Sequence, residues 1–291
     1  MRLVLLVRAG RAVSRAGAMA GAKPTDLFFS RVPRANLKCE SSGVPIPVKM
    51  STRPSSPSFL AAAWLIFSKD LAIELRTREI VTTAGFFAAL VGVLTSVAFY
   101  AGPDTTVRVA PGAMWLAIAF SSVLALGRTW QREREEAALT GLLVSPVARA
   151  AIFLGKALGV FAFVTAIELI VVPLVALFFH VELPDVALSL ACVIALGTVG
   201  VAAAGTLFGA MTVRTQARDL VLATVLFPLL SPALLSGVAA TREIFALVQS
   251  MHPPGPLAQL GEIQDYLLLL ALFDVVAVAG GLAFFGVLVD D

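Results

Sequence analysis

Charge is scarce in this chain. Asp, Glu, Lys and Arg make up 14% of its 291 residues and hydrophobic residues 58%, at a mean hydropathy of +0.91. Soluble domains carry about a quarter charged residues, so a soluble globular protein is excluded. Length sets the capacity of the membrane protein that remains. At ~20 residues per span plus connections, the chain holds about six to eight helices and has no room for a sizeable soluble enzyme domain. Cysteine is nearly absent too: Cys39 and Cys192 form no CxxC pair, metal spacing or disulfide framework, which argues against redox chemistry. No His/Ser/Asp set or pair of acids marks an intramembrane enzyme.

What charge there is lies unevenly. Residues 1–57 hold ten Lys/Arg against Asp26 and Glu40, whereas the rest of the chain holds twelve against seventeen acids. The pI of 9.1 therefore reflects a Ser/Pro/Gly-rich leader rather than a basic patch on a folded module, and nucleic acid is not an expected partner. The leader is Arg-rich and acid-poor like a transit peptide, but Leu3 to Val7 is too short for a signal-peptide core. Met50 opens the tract MSTRPSSPSF. Residues 1–57 are expected to be a disordered or mis-called extension, and residues 58–291 a membrane domain.

Apolar runs of spanning length fall at roughly 80–100, 109–127, 153–179, 186–211, 219–240 and 266–289. The expected fold is all-α integral membrane with six transmembrane helices, since backbone groups in hydrocarbon must pair within their own segment. Lys69, Arg76, Arg78, Arg128, Arg132, Arg134, Arg149, Arg214 and Arg218 fall on one side of that topology, and only Arg108 and Arg242 on the other. The positive-inside rule then puts both termini in the cytoplasm. Ahead of the first span, Phe59 to Arg76 turns from apolar to mixed charge, with Trp64 suited to headgroups, and is expected to be an interfacial helix.

The connection between spans two and three is the most distinctive segment. Arg128, Trp130, Arg132, Glu133, Glu135 and Glu136 precede Leu139, Leu142 and Leu143, and Ser145-Pro146 closes the segment. Arg132 and Glu136 stand at i, i+4, the leucines recur at helical spacing, and proline ends the helix. A short amphipathic helix in a cytoplasmic connection suits a soluble ATPase, whose groove takes the apolar stripe while the charges set register.

From Arg108 to Lys156 the sequence resembles the haem exporter protein B (CcmB) family, the membrane permease of cytochrome c maturation. The resemblance is carried by Arg108-Val109-Ala110-Pro111-Gly112 with Trp115, by Ser121-Ser122, Leu124-Ala125-Leu126, Leu142-Leu143-Val144-Ser145-Pro146 and Leu154-Gly155-Lys156. Leu196-Gly197-Thr198, Pro228 and Pro232 extend it. Where the family has Gly-Ser/Thr-Leu-Glu, this chain has Ala137-Ala138 and then Gly141 in place of an acid. The resemblance implies a six-helix ABC-exporter permease in the bacterial inner membrane, non-enzymatic alone, self-associating within its complex. ATP would bind a separate ATP-binding subunit. The other implied partners are a haem-handling membrane protein, a small accessory membrane protein and a haem chaperone, with haem as cargo and no cofactor held by this chain. Rivals are a permease of another ABC exporter, for a drug, lipid or polysaccharide, and a non-transporting scaffold.

Several further residues need weighing. Leu154-Gly155-Lys156-Ala157 mimics the end of a phosphate-binding loop, but Ala150 replaces its first glycine and no Ser/Thr follows the lysine. Lys156 is expected to snorkel to the headgroups. His180 and His252, in outward connections, are candidate haem ligands but are more simply solvated side chains. Glu168 and Asp274 lie deep within spans at similar depth, where charge is costly, so they are expected to face protein or water or to be protonated, either lining a polar path or switching contact or making a structural hydrogen bond to a neighbouring helix. Pro173, Pro228 and Pro232 are expected to kink helices, and Gly200, Gly205 and Gly209 to let helices approach.

Overall fold

The computed structural model describes residues 58–99, 103–135, 138–212, 218–248 and 254–290. The leader lies outside these, and so do the expectations placed on it, as do Glu136, Arg214 and His252. Among the described residues all regular structure is helical: α1 (Phe59–Thr77), α2 (Glu79–Ala98), α3 (Pro103–Glu135), α4 (Ala138–Val144), α5 (Arg149–Phe179), α6 (Leu183–Thr212), α7 (Arg218–Val248), α8 (Pro256–Glu262) and α9 (Gln264–Asp290).

Six helices are long and apolar enough to cross a membrane: Glu79–Ala98, Arg108–Glu135, Arg149–Phe179, Leu183–Thr212, Thr224–Val248 and Gln264–Val289. Each coincides with an apolar run in the sequence. The second span is 28 residues long, about 42 Å at 1.5 Å per residue. That exceeds a hydrocarbon core of about 30 Å, so the charged turns at its end project beyond it.

α6 is the hub, packing against α3, α5, α7 and α9, while α2 packs on α3 and α5. The second span buries 67% of its apolar window and the sixth only 11%, which puts α3 inside the bundle and α9 on its rim. Small residues set these approaches. The Trp115 ring of α3 lies where a Cβ on Gly197 of α6 or Gly237 of α7 would stand. Further along the same interface, Leu126 of α3 faces Gly205 and Trp130 faces Gly209. The expected close approach along α6 is therefore present, with α3 as partner for Gly205 and Gly209 and α9, through Phe273 and Asp274, for Gly200.

Three of the spanning helices carry internal prolines. Pro228 and Pro232 sit on the exposed face of α7, which continues as one element through both. Pro232 has no N–H for the carbonyl of Pro228, and the Ser231 hydroxyl donates to that carbonyl instead, at 2.7 Å. Pro111 likewise lies within α3 and Pro173 within α5.

Candidate functional site

The charged end of the bundle is built by α1, α3 and α5. α1 is a separate helix rather than an extension of the first span: Arg78, at φ 54°, breaks the chain between α1 and α2. It lies on α5, and Gly155 makes the approach possible, since a Cβ there would meet the backbone carbonyl of Ala63 at 2.7 Å. Its inward face runs Ala62, Ala63, Ile66, Asp70, Glu74, so the helical stripe that begins apolar ends acidic. Its outward face carries Leu60, Trp64, Leu65 and Leu75, 60–71% exposed. The helix thus turns apolar groups to its surroundings and two carboxylates to the protein.

Those carboxylates meet cations from two other helices. Lys156 of α5 is 1% exposed, donates to Asp70 at 2.6 Å, and also bridges to Glu133 of α3. Lys69 reaches Asp70 at 3.0 Å and Glu133 at 3.8 Å. One turn further along α1, Glu74 accepts the N–H groups of Ile80 and Val81 at 2.8 and 3.0 Å. Those are orphan donors of the first turn of α2, so Glu74 caps that helix across the break at Arg78. The other oxygen of Glu74 takes Arg132 of α3 at 3.2 Å. Arg132 also contacts Thr77 and Glu79, and Arg128 lies 3.8 Å from Glu79. Four cations and four carboxylates pair without excess charge. Burying Lys156 or Glu133 alone would be prohibitive, and burying them together is tolerable because each keeps its partners.

Two expectations are corrected here. Lys156 does not snorkel outward; Asp70 and Glu133 hold its ammonium inside the protein. The segment between spans two and three does not stand in solvent: among its described residues, 128–135 and 138–146, Trp130, Glu133 and Leu139 are buried in the bundle. Trp130 is 1% exposed, against Gly209 of α6, and its indole N–H has no partner among the described residues. Leu139 is 7% exposed, and Leu142 and Leu143 pack against the same cluster of Trp130, Ile152, Phe153 and Phe285. Leu139 thus covers its own bundle, with Leu142 and Leu143 half-buried beside it. α4 ends at Val144 before Ser145-Pro146 as expected, with Arg149 donating to the Leu143 carbonyl at 2.7 Å. Arg134, Glu135, Gly141, Val144 and Pro146 stay exposed.

The two intramembrane acids are separated rather than joined in one path. Thr198 of α6 donates to Glu168 of α5 at 2.5 Å, while Asp274 of α9 lies against Gly200 of α6 with Oδ1 unpartnered among the described residues. Thr198 and Gly200 are two residues apart, roughly 200° around a helix of 3.6 residues per turn. α6 therefore stands between the carboxyls, at one depth.

The family-motif residues divide. Trp115, Gly197 and the buried Pro111 lie in the core, and Trp115 donates to the Thr241 hydroxyl at 2.9 Å. Gly112 is exposed with nothing near its α-carbon, and Pro228 and Pro232 are exposed. His180 caps α5 in a left-handed conformation, φ 58°, with its ring exposed. Among the described residues no group of three or more His, Cys, Asp or Glu stands ready for a metal ion. Sequence reasoning missed Asp70, Glu74, Thr241 and Gly237. The signal for the first two was available in their spacing, which continues the stripe of Ala62, Ala63 and Ile66.

Six spanning helices around a central α6, with a neutral ionic cluster at one end, define a multi-pass all-helical membrane protein. The CcmB protein family model matches residues 61–280, and the chain belongs to that family. It is 29% identical over 183 residues to heme exporter protein B of Rhodobacter capsulatus, covering 61% of this chain and 81% of that one. To heme exporter protein B of Paracoccus denitrificans it is 30% identical over 180 residues, covering 59% and 82%. The match to the Escherichia coli K12 protein of the same name is 29% over 96 residues, covering 33% of this chain and 44% of that one.

Proposed function

We propose that this protein is the membrane permease subunit of an ATP-driven haem export complex serving cytochrome c biogenesis. The family match over residues 61–280 carries the reading, and the relatives are named heme exporter protein B. Haem is then the cargo, or is released bound to its chaperone, and this chain supplies no catalysis. ATP is hydrolysed by a separate ABC ATP-binding subunit. A haem-handling membrane protein, a small accessory membrane protein and a haem chaperone complete the assembly, and a second copy of this chain completes the permease. The complex sits in the bacterial inner membrane with both termini of this chain cytoplasmic, an orientation favoured by the cations at the charged end.

The ATP-binding subunit would press on the outer surface left by α3 and α4, namely Arg134, Glu135, Gly141, Val144 and Pro146. The inner part of the segment, Trp130, Glu133 and Leu139 with the half-buried Arg128, Arg132, Leu142 and Leu143, would carry that push to α1, α5 and α6. Glu136 lies outside the described residues. A rigid relay suits this role, because packed cores transmit displacement rather than absorb it.

The test is reconstitution of the full chain with the ATP-binding subunit in vesicles, with haem accumulation followed with ATP and with a non-hydrolysable analogue. ATP-dependent accumulation is expected. ATPase activity and chaperone release without haem crossing would instead support the scaffold, and ATPase stimulation by a drug or lipid but not haem would overturn the assignment.

A further inference from the structure

A groove of about 390 Å³ opens between α5 and α6, away from the ionic cluster. Its α5 wall runs from residue 161 to 173 and its α6 wall from 183 to 195. Twelve residues on each side are about 18 Å at 1.5 Å per residue, so the groove extends from mid-membrane to the far end of the helix pair. Ala187, Ala191 and Ala195 stand at every fourth position of the α6 wall. Small side chains usually draw helices together, yet here Pro173 lines the opposite wall and the space beside the alanines is left open.

The groove is apolar along its length with one strong exception. Glu168 lines it while being 4% exposed, and its only hydrogen bond among the described residues comes from Thr198. No Lys, Arg or His lines the groove. A carboxyl buried with one neutral donor retains unused acceptor capacity and lacks a counter-charge, and an occupant ending in a protonated amine supplies both the donor and the charge, forming a charge-assisted pair in a dry setting. Size narrows the occupant. The volume lies within the about 300–1,000 Å³ of small-molecule sites, which are apolar with few polar groups.

We propose that the α5–α6 groove binds a membrane-partitioned amphiphile, a slender apolar chain ending in a protonated amine that donates to Glu168. The site is independent of the haem-export reading. Ala191 opposite provides the room for the chain, and Glu168 provides the selectivity for a cationic end over an anionic one.

The probe is hexadecylamine, compared with palmitic acid of equal length, against the purified full chain in phosphatidylcholine nanodiscs, with saturable binding read by native mass spectrometry. The amine is expected to bind at one site per chain, about ten-fold or more tighter than the acid, as a bond to a charged group requires. Glu168→Gln should bring the two within about two-fold of each other, since the amide keeps a bond with Thr198 but loses the charge. Ala191→Phe, which fills the groove and leaves every buried charge in place, should abolish binding of both. Equal binding of amine and acid to the native chain, or amine binding that survives Ala191→Phe in correctly folded protein, overturns the proposal. If Glu168→Gln does not fold, the Ala191→Phe result decides.

Discussion

Lys156 of α5 donates to Asp70 of α1 at 2.6 Å across 86 positions of sequence, and on the same ammonium meets Glu133 of α3. Three helices end on one nitrogen. One turn away, Glu74 and Arg132 tie α1 to the end of α3, while Lys156 ties α1 to α5 and bridges to Glu133 of α3.

Removing the lysine leaves Asp70 and Glu133 facing one another without their buried cation, with the half-exposed Lys69 beside them. Lys156→Met is expected to cost about 3–5 kcal/mol, seen as a lower thermal unfolding midpoint in detergent. Combining it with Asp70→Leu and Glu133→Leu should recover most of the loss, because a fully apolar replacement removes the unpaired charge with its partners. An unchanged midpoint for Lys156→Met would show that the cluster is not a structural tie.

Glu74 acts on α2 through the amides of Ile80 and Val81. Glu74→Ala is expected to uncap both N–H groups and leave Arg132 with Thr77 and Glu79 as its partners, costing about 1–3 kcal/mol. Hydrogen exchange by mass spectrometry should show faster exchange in residues 78–82 with little change in α6. Glu74→Gln should fall between, as its amide oxygen still caps the helix while the charge for Arg132 is lost. Equal exchange in all three proteins would rule the cap out.

Trp115 fills the space left by two glycines. Gly237→Leu should force its indole aside and cost about 1–3 kcal/mol or more by overpacking, whereas Gly112→Ala, where nothing lies near the α-carbon, should cost little. Thr241→Val should cost about 1 kcal/mol through the lost acceptor. The comparison is made on expression level and melting midpoint; a Gly237→Leu protein as stable as Gly112→Ala would contradict the packing described here.

α4 separates internal from external residues in a single turn. Leu139→Ala is expected to cost about 2–4 kcal/mol as a buried truncation, lowering the stability of the isolated chain. Val144, 85% exposed, should tolerate Val144→Asp with no change in stability while weakening copurification of the ATP-binding subunit. If Val144→Asp binds that subunit as well as the native chain, α4 is not the surface it uses.

The six spans were readable because length and hydropathy suffice where every backbone group must pair inside its own helix. The stop at Ser145-Pro146 was readable for a similarly local reason. The role of the α3–α4 segment was only half readable: its charges and leucines form an amphipathic pattern, but a pattern does not say what covers it. Here Trp130 and Leu139 are covered by Gly209, Phe153 and Phe285, residues distant in sequence. Lys156 misled for the same reason, since a lysine one turn or so inside a span has an ordinary local solution in snorkelling, and only the arrival of Asp70 and Glu133 replaces it.

Composition and hydrophobic runs alone determined the class of this protein: all-helical, membrane-embedded, six spans, with cations gathered on one side. Those properties are local or additive, so they survive in one dimension. Tertiary structure decided which of the few charges face each other, that α6 stands between Glu168 and Asp274, and that α1 turns its acids inward and its leucines outward. Charges are costly to bury singly and tolerable only in pairs, and a pair is made by two helices meeting, which no single stretch of sequence specifies.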